Sequence, residues 1–249
     1  MKTKLVINDA HIPFHDPKTL DLVYNFVREF CPDEIWINGD WADFYGVSKF
    51  NKNPSRRENF QDDLDVTIDE LEKLRRAAPN ARIRYKEGNH EFRLQRFLWR
   101  DAPELASLRD LTVAGQLKLQ KLNIEYYPSD VDVEDEGMFQ IVHGDLISKH
   151  SGWTAKAHYD KYGGSGICGH SHRGGSYLVA KRHDTHGWWE NYCLCDLEPE
   201  YVKSPNWQQG FSIIHFAKDR FFVESIPIVG HRFVAQGKYF TWKKKGQLV

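Results

Sequence analysis

No stretch of this sequence approaches the ~18 consecutive apolar residues of a membrane span, and its first apolar run, Leu5-Val6-Ile7, is only three residues long. Neither a signal peptide nor a membrane partner is expected, and the sequence predicts a soluble, cytoplasmic protein. Net charge is nearly absent as well, with 34 Lys and Arg against 35 Asp and Glu. Such a balance gives no global attraction to nucleic acid or anionic lipid, so any grip on a polyanion must come from a local basic patch or bound cations. Cysteine is scarce, at positions 31, 168, 193 and 195 only, which excludes a disulfide framework. The Cys193-Leu194-Cys195 spacing is wrong for a zinc knuckle, though alternation along a strand puts both thiols on one face. All four read as buried, reduced thiols. Internal repeats, low-complexity tracts and linkers are missing too. With 41% hydrophobic residues over 249 positions, the expectation is one domain spanning 1–249 with a well-buried core.

Hydrophobic periodicity supplies the coarse architecture. Residues 4–7 read as a buried strand, and Asp16-Pro17 as a helix N-cap followed by proline at the first helical position. Leu20, Val23, Tyr24, Val27 and Phe30 recur at helical spacing over 18–30. A second strand at 34–37, a helix over 59–77 and a third strand at 82–86 follow. That alternation opens an α/β fold with a parallel sheet, in which ligands collect at the carboxyl ends of the strands. Residues 92–111 look helical with an interruption at Pro103, and a further helix is expected at 153–162. Short strands at 123–127, 138–142, 166–168, 176–180, 211–216 and 221–226 predict a second sheet packed on the first.

Five short motifs occur at or just after these strands: Asp9-Ala10-His11, Gly39-Asp40-Trp41-Ala42-Asp43, Gly88-Asn89-His90-Glu91, His143-Gly144 and Gly169-His170-Ser171-His172. Each offers the oxygen or imidazole donors that divalent transition metals prefer. Alone, Asp9 reads as a turn former and His143 as a hydrogen-bonded core histidine; five such motifs in this order read as one metal site. Two cations about 3.5–4 Å apart clamp a phosphoryl group and activate water for in-line attack. His170 and His172 alternate, so both rings can point the same way from an extended segment.

From Asp9 to His172 this set resembles the calcineurin-like metallophosphoesterase superfamily. The resemblance implies a layered α/β/β/α sandwich of two mixed sheets flanked by helices, carrying two divalent ions. Asp9, His11, Asp40 and His172 would hold the first; Asp40, as the bridging carboxylate, Asn89, His143 and His170 would hold the second. His90 would stay off the metals, contact the substrate phosphate and assist the leaving group, with Asp43 orienting its ring. Manganese is the expected ion, and iron, zinc, nickel or cobalt also suit such donors. The implied reaction is attack on a phosphoester by a metal-bridging hydroxide, with no covalent phosphoenzyme. The reading put first is a phosphodiesterase or nuclease acting on DNA, RNA or nucleotides. A phosphomonoesterase, of small molecules or phosphoproteins, stands second and a non-catalytic binding scaffold third.

Departures bear on that ranking. Phosphoprotein phosphatases of the superfamily carry an arginine that clamps phosphate directly after the GDxxD motif, where this chain has Phe44; Glu91 after the GNH triplet does resemble them. Arg93, Arg96 and Arg100 fall on one helical face, with Arg93 and Arg96 as substrate contacts, or as a solvated face pairing with Glu91 and Asp101. The aromatic stretch with Trp188, Trp189 and Tyr192, followed by Tyr201 and Trp207, offers base-stacking surfaces or core. The segments at 163–164 and 206–211 look similar to phage and prokaryotic metallophosphoesterases.

Overall fold

Alternation along the first strand divides the interior in two. On β1 (Lys2–Ile7), Leu5 and Ile7 face one core and Val6 faces another. A computed structural model describes residues 1–182, 184–200 and 203–243. After β1 come α1 (Pro17–Phe30), β2 (Glu34–Asn38), α2 (Phe60–Ala77), β3 (Arg82–Lys86), α3 (Phe92–Asp101), α4 (Val113–Gln116) and β4 (Ile124–Tyr127). The chain continues through β5 (Val133–Asp135), β6 (Phe139–Val142), α5 (Trp153–Tyr162), β7 (Gly166–Cys168), β8 (Gly174–Ala180) and β9 (Thr185–Asn191). It closes with β10 (Gln209–Ala217), β11 (Arg220–Ile228), β12 (Arg232–Ala235) and β13 (Lys238–Thr241).

Six strands form one sheet in the order β11-β10-β1-β2-β3-β4, with β1 to β4 parallel and β10 and β11 antiparallel. Five form the other, β5-β6-β7-β9-β8, again mixed. Val6, Trp36, Ile141, Ile167 and Ile214 pack between the sheets. Leu20, Val23 and Val27 of α1 and Leu64, Leu71 and Leu74 of α2 cover the outer face of the first sheet. Ala155 of α5 packs with Val142, Cys168 and Trp188 on the outer face of the second. The result is the helix–sheet–sheet–helix sandwich expected from the sequence. β12 and β13 form a separate hairpin whose Phe233 and Phe240 rings lie against Phe26 of α1.

Local signals account for the element ends. Asp16 accepts from the N–H groups of Lys18 and Thr19, and Asn59 with Asp62 forms a capping box at α2. α3 stops at Asp101 because Pro103 lacks an N–H and restricts the residue before it; the helical pattern expected to 111 gives way to turns.

Where alternation was hidden, the structure corrects the reading. β9 was not anticipated, and its adjacent tryptophans go to opposite faces. Trp188 is fully buried under α5, and Trp189 packs on Phe139 and Phe221 between the sheets. Trp188 is therefore core, whereas Trp189 is half-buried at the edge of the inter-sheet core; Tyr201 lies outside the described residues. Cys31 is exposed, and Cys168, Cys193 and Cys195 are buried.

An ionic knot that no motif announced joins the sheets. Lys4 Nζ lies 2.6 Å from Asp135 Oδ2 and 3.4 Å from Glu34 Oε1, with the lysine fully buried. Arg84 Nη1 reaches the same two carboxylates, Asp135 at 3.0 Å and Glu34 at 3.1 Å. Among the described residues, no helix is long and apolar enough to cross a membrane.

Candidate metal centre

All five motifs sit at the carboxyl ends of β1, β2, β3, β6 and β7, where side chains of both sheets meet. The loops after β1 and β2 are tied by Asp9 N to Gly39 O (3.1 Å) and His11 N to Asp40 O (2.9 Å). Asp9, His11, Asp40, His170 and His172 all have φ between 49 and 66°. This left-handed conformation costs a non-glycine residue roughly 1 kcal/mol, so surrounding contacts must impose it. Two glycines leave the room that is needed. A Cβ on Gly39 would fall 2.5 Å from His143 Nδ1, and one on Gly169 would fall 2.7 Å from Asp9 Oδ2.

The predicted ligands converge. Asp9, His11 and His172 form one group, and Asp40, His143 and His170 another, the donor atoms of each lying within 4.8 Å of one another. His172 Nε2 is 3.0 Å from His11 Nε2 and 3.2 Å from Asp9 Oδ1. His143 Nε2 is 3.2 Å from both Asp40 Oδ2 and Asn89 Oδ1, while its Nδ1 donates to Asn38 O at 2.8 Å. That bond leaves Nε2 facing the cluster, available to a metal once it gives up its proton. Asp40 Oδ2 also lies 3.8 Å from His11 Nε2, which places this oxygen between the two groups. Its other oxygen, Oδ1, accepts from His90 N at 2.8 Å.

Asp9 Oδ1 and Asp40 Oδ2 are buried and have no hydrogen-bond partner. Two buried carboxylates with bare oxygens facing imidazole nitrogens would be costly without positive charge between them. This donor set, oxygen and imidazole nitrogen, suits divalent transition metals, so the residues present fit such ions. The titration of the cluster carries the same message. Burial opposes a charge on His143 and His172, yet Asp40 and Asp9 outweigh it and lift each to about 9. Burial and the neighbouring His143 push His170 down to about 4. Burial raises the carboxyls of Asp9 and Asp40, but the histidines around them prevail and hold both below the usual carboxylate range.

His90 belongs to a second constellation at the same mouth. Its Nδ1 is 3.0 Å from Asp43 Oδ2, and His11 Nδ1 is 3.2 Å from the same oxygen. Its Nε2 is 3.8 Å from Asp40 Oδ2. Arg93 donates through Nη1 to Asp43 Oδ1 and O, both at 2.9 Å, and through Nη2 to His90 Nε2 at 2.9 Å. The positive charge that Phe44 does not supply beside Asp43 therefore arrives from α3. Arg96 lines a cavity of about 290 Å³ that also touches Asn89, His143, Phe92 and Tyr162. Arg100 is not part of the site and pairs with Asp101 at 2.6 Å. Trp207 lies edge-to-face on His172, ring centroids 4.3 Å apart.

Sequence reasoning missed the residues that hold the ligands in place. Fully buried Glu91 accepts from Asp40 N, Ala42 N and Gly88 N, each at 3.0 Å, and from Tyr85 OH at 2.5 Å. One carboxylate thus clasps the loops after β2 and β3. Burial, reinforced by Asp40, raises its carboxyl to about 7. Glu190 plays a similar part on the other side, accepting from Ser171 Oγ at 2.8 Å and from the first N–H groups of α5. Only the adjacency of Glu91 to the GNH triplet signalled the first; nothing local signalled the second.

No protein-family profile matches the chain. It is similar to the Gene 54 protein of Mycobacterium phage L5, 28% identical over 95% of this chain and 98% of that protein. The Gene 54 protein of Mycobacterium phage D29 is 27% identical, over 95% and 97%. Among solved structures, wild-type Vps29 complexed with Zn²⁺ from Entamoeba histolytica aligns with a TM-score of 0.49 at 12% identity, over 93% of this chain and 96% of that one. Yfce, a phosphoesterase from E. coli, aligns at 0.39 and 12% identity, over 86% and 88%.

Proposed function

We propose that this chain is a metal-dependent phosphoesterase, and that its substrates are phosphodiesters of nucleic acid or nucleotides. The observation that carries the reading is Asp40 Oδ2, buried, unbonded and facing imidazoles of both ligand groups. Asp9, His11, Asp40 and His172 would hold one cation, and Asp40, Asn89, His143 and His170 the other. When bound, such a pair neutralises charge on the phosphoryl oxygens and makes water acidic enough to attack at neutral pH.

The chain's own groups do the rest. Arg93 places a donor, and His90 a ring nitrogen that can take up and give a proton, beside the ligand cluster, at the position where a phosphoryl oxygen or a leaving oxygen would lie. When Arg93 turns its guanidinium to the phosphate, His90 Nε2 is free to take a proton from solvent and pass it to the leaving oxygen. Asp43 keeps the imidazole proton on Nδ1 throughout. The cavity beside Asn89 and His143, with Arg96 on its wall, is at the lower end of small-ligand sites in size and gives the second ester substituent a place to sit. This favours a diester over a monoester. Arg93 also returns the clamp that Phe44 had argued against, so a phosphomonoesterase remains the second reading.

Paired assays of bis-p-nitrophenyl phosphate and p-nitrophenyl phosphate with manganese test the proposal, followed by single- and double-stranded DNA, RNA, cyclic nucleotides and phosphopeptides. Faster turnover of the diester is expected. Bound metal with no hydrolysis of either compound would remove the phosphoesterase reading.

A further inference from the structure

One more convergence of ligand atoms lies behind the cluster. Cys193 and Cys195 sit on the extended segment after β9, which bridges to Gln209 at Cys193 and to His15 at Cys195. Residues two apart on an extended backbone face the same side. Leu194 between them belongs to the core on the helix side, and its N–H donates to Asp9 O at 3.0 Å. The dithiol segment and the Asp9 loop are thereby fixed to each other. Cys195 Sγ lies 3.7 Å from Nδ1 of His172, whose Nε2 faces Asp9 Oδ1 at 3.2 Å. The two sulfurs and a His172 nitrogen fall within 4.8 Å of one another, and all three residues are buried.

We propose that Cys193, Cys195 and Nδ1 of His172 form a separate site for a thiophilic divalent cation such as Zn²⁺, with the His172 ring bridging it to the Asp9–His11 group. Zn–S and Zn–N bonds of about 2.3 and 2.1 Å at a tetrahedral angle set S and N about 3.6 Å apart; Cys195 and His172 already stand at 3.7 Å, and Cys193 Sγ lies within 4.8 Å of both. Two thiolates and an imidazole select zinc, cobalt or cadmium over manganese or magnesium. Gln208 O, 3.4 Å from Cys193 Sγ, is a fourth donor within reach. As the three bonds to the cation form, two thiol protons and the Nδ1 proton leave to solvent, and no electron transfer is involved. A cation there would hold the His172 ring from its far side, so the nature of the ion behind the ring controls how firmly the ring serves the cluster in front.

Titrating the full chain with Co²⁺ tests this. A thiolate-to-cobalt charge-transfer band in the near ultraviolet is expected, and its loss in Cys193→Ser and in Cys195→Ser. Should either variant fail to fold, zinc-edge X-ray absorption of the wild-type protein with every site filled gives the answer. Sulfur at about 2.3 Å supports the site. Cobalt without that band, or zinc with only nitrogen and oxygen neighbours, overturns it. The readout is sulfur ligation and not hydrolysis, so a protein that cleaves diesters with manganese but shows no sulfur ligation would lose this site and keep its proposed activity.

Discussion

Arg93 Nη2 lies 2.9 Å from Nε2 of His90, and because a guanidinium only donates, that nitrogen is an acceptor. The imidazole proton is thereby placed on Nδ1, 3.0 Å from Asp43 Oδ2. Burial lowers the pKa of His90 despite Asp40 and Asp43 beside it, so the ring rests neutral. His90→Ala should reduce diester turnover by about 10²–10⁴-fold while leaving metal content near wild type. Turnover with elemental analysis of the same sample checks both; activity equal to wild type would remove the assigned role.

Asp40 is expected to behave differently. Its Oδ2 faces His11 and His143 together, so Asp40→Ala removes a donor from both ligand groups. Metal content and turnover should fall together, and excess manganese should restore neither fully. A variant that retains two equivalents of metal would show that the carboxylate is not shared.

Protons and metal should compete at His143 and His172. Both pKa values rise in the folded protein from an ordinary 6.5 to about 9. In the metal-free protein, this contributes stability that is complete below pH 6.5 and is lost as pH rises through about 9. Cations need the unprotonated rings, so apparent affinity should climb across the same window, with protons released on binding. Calorimetric titration in buffers of different ionisation enthalpy measures that release. Zero release at pH 7 would contradict the assignment.

Glu91→Gln replaces one carboxylate oxygen with an NH₂ group facing N–H or O–H donors. Leaving such donors unsatisfied should cost about 2–4 kcal/mol and loosen the loops after β2 and β3. A lower thermal midpoint together with weaker metal binding is expected. An unchanged midpoint would mean that the clasp contributes little.

Lys4→Met probes stability without touching the site. Without the ammonium, Asp135 and Glu34 keep Arg84 but lose their fully buried partner. Breaking a buried pair costs about 3–5 kcal/mol, with the surviving arginine favouring the lower figure. Urea denaturation should show the loss, with turnover unchanged below the transition.

The sequence by itself determined the strands that alternate or run apolar, the caps at Asp16 and Asn59, and the five motifs, because donor type and position after a strand are local properties. It placed Asp9, Asp40, Asn89 and His143 at strand ends without being able to bring the two sheets together. Only the tertiary structure decided that Asp40 Oδ2 lies between the two ligand groups, since the histidines that face it, His11 and His143, follow strands of opposite sheets. The same holds for Arg93, whose helical periodicity is satisfied equally by solvent or by Asp43. The role of Glu91 as a clasp across two loops, Glu190 and the Lys4 knot were not legible because each depends on partners 19 to 131 positions away, and no local pattern encodes such a distance. The tryptophans of β9 were left open between stacking surface and core for the same reason: adjacent side chains on a strand part to opposite faces, and what covers each face is a matter of packing.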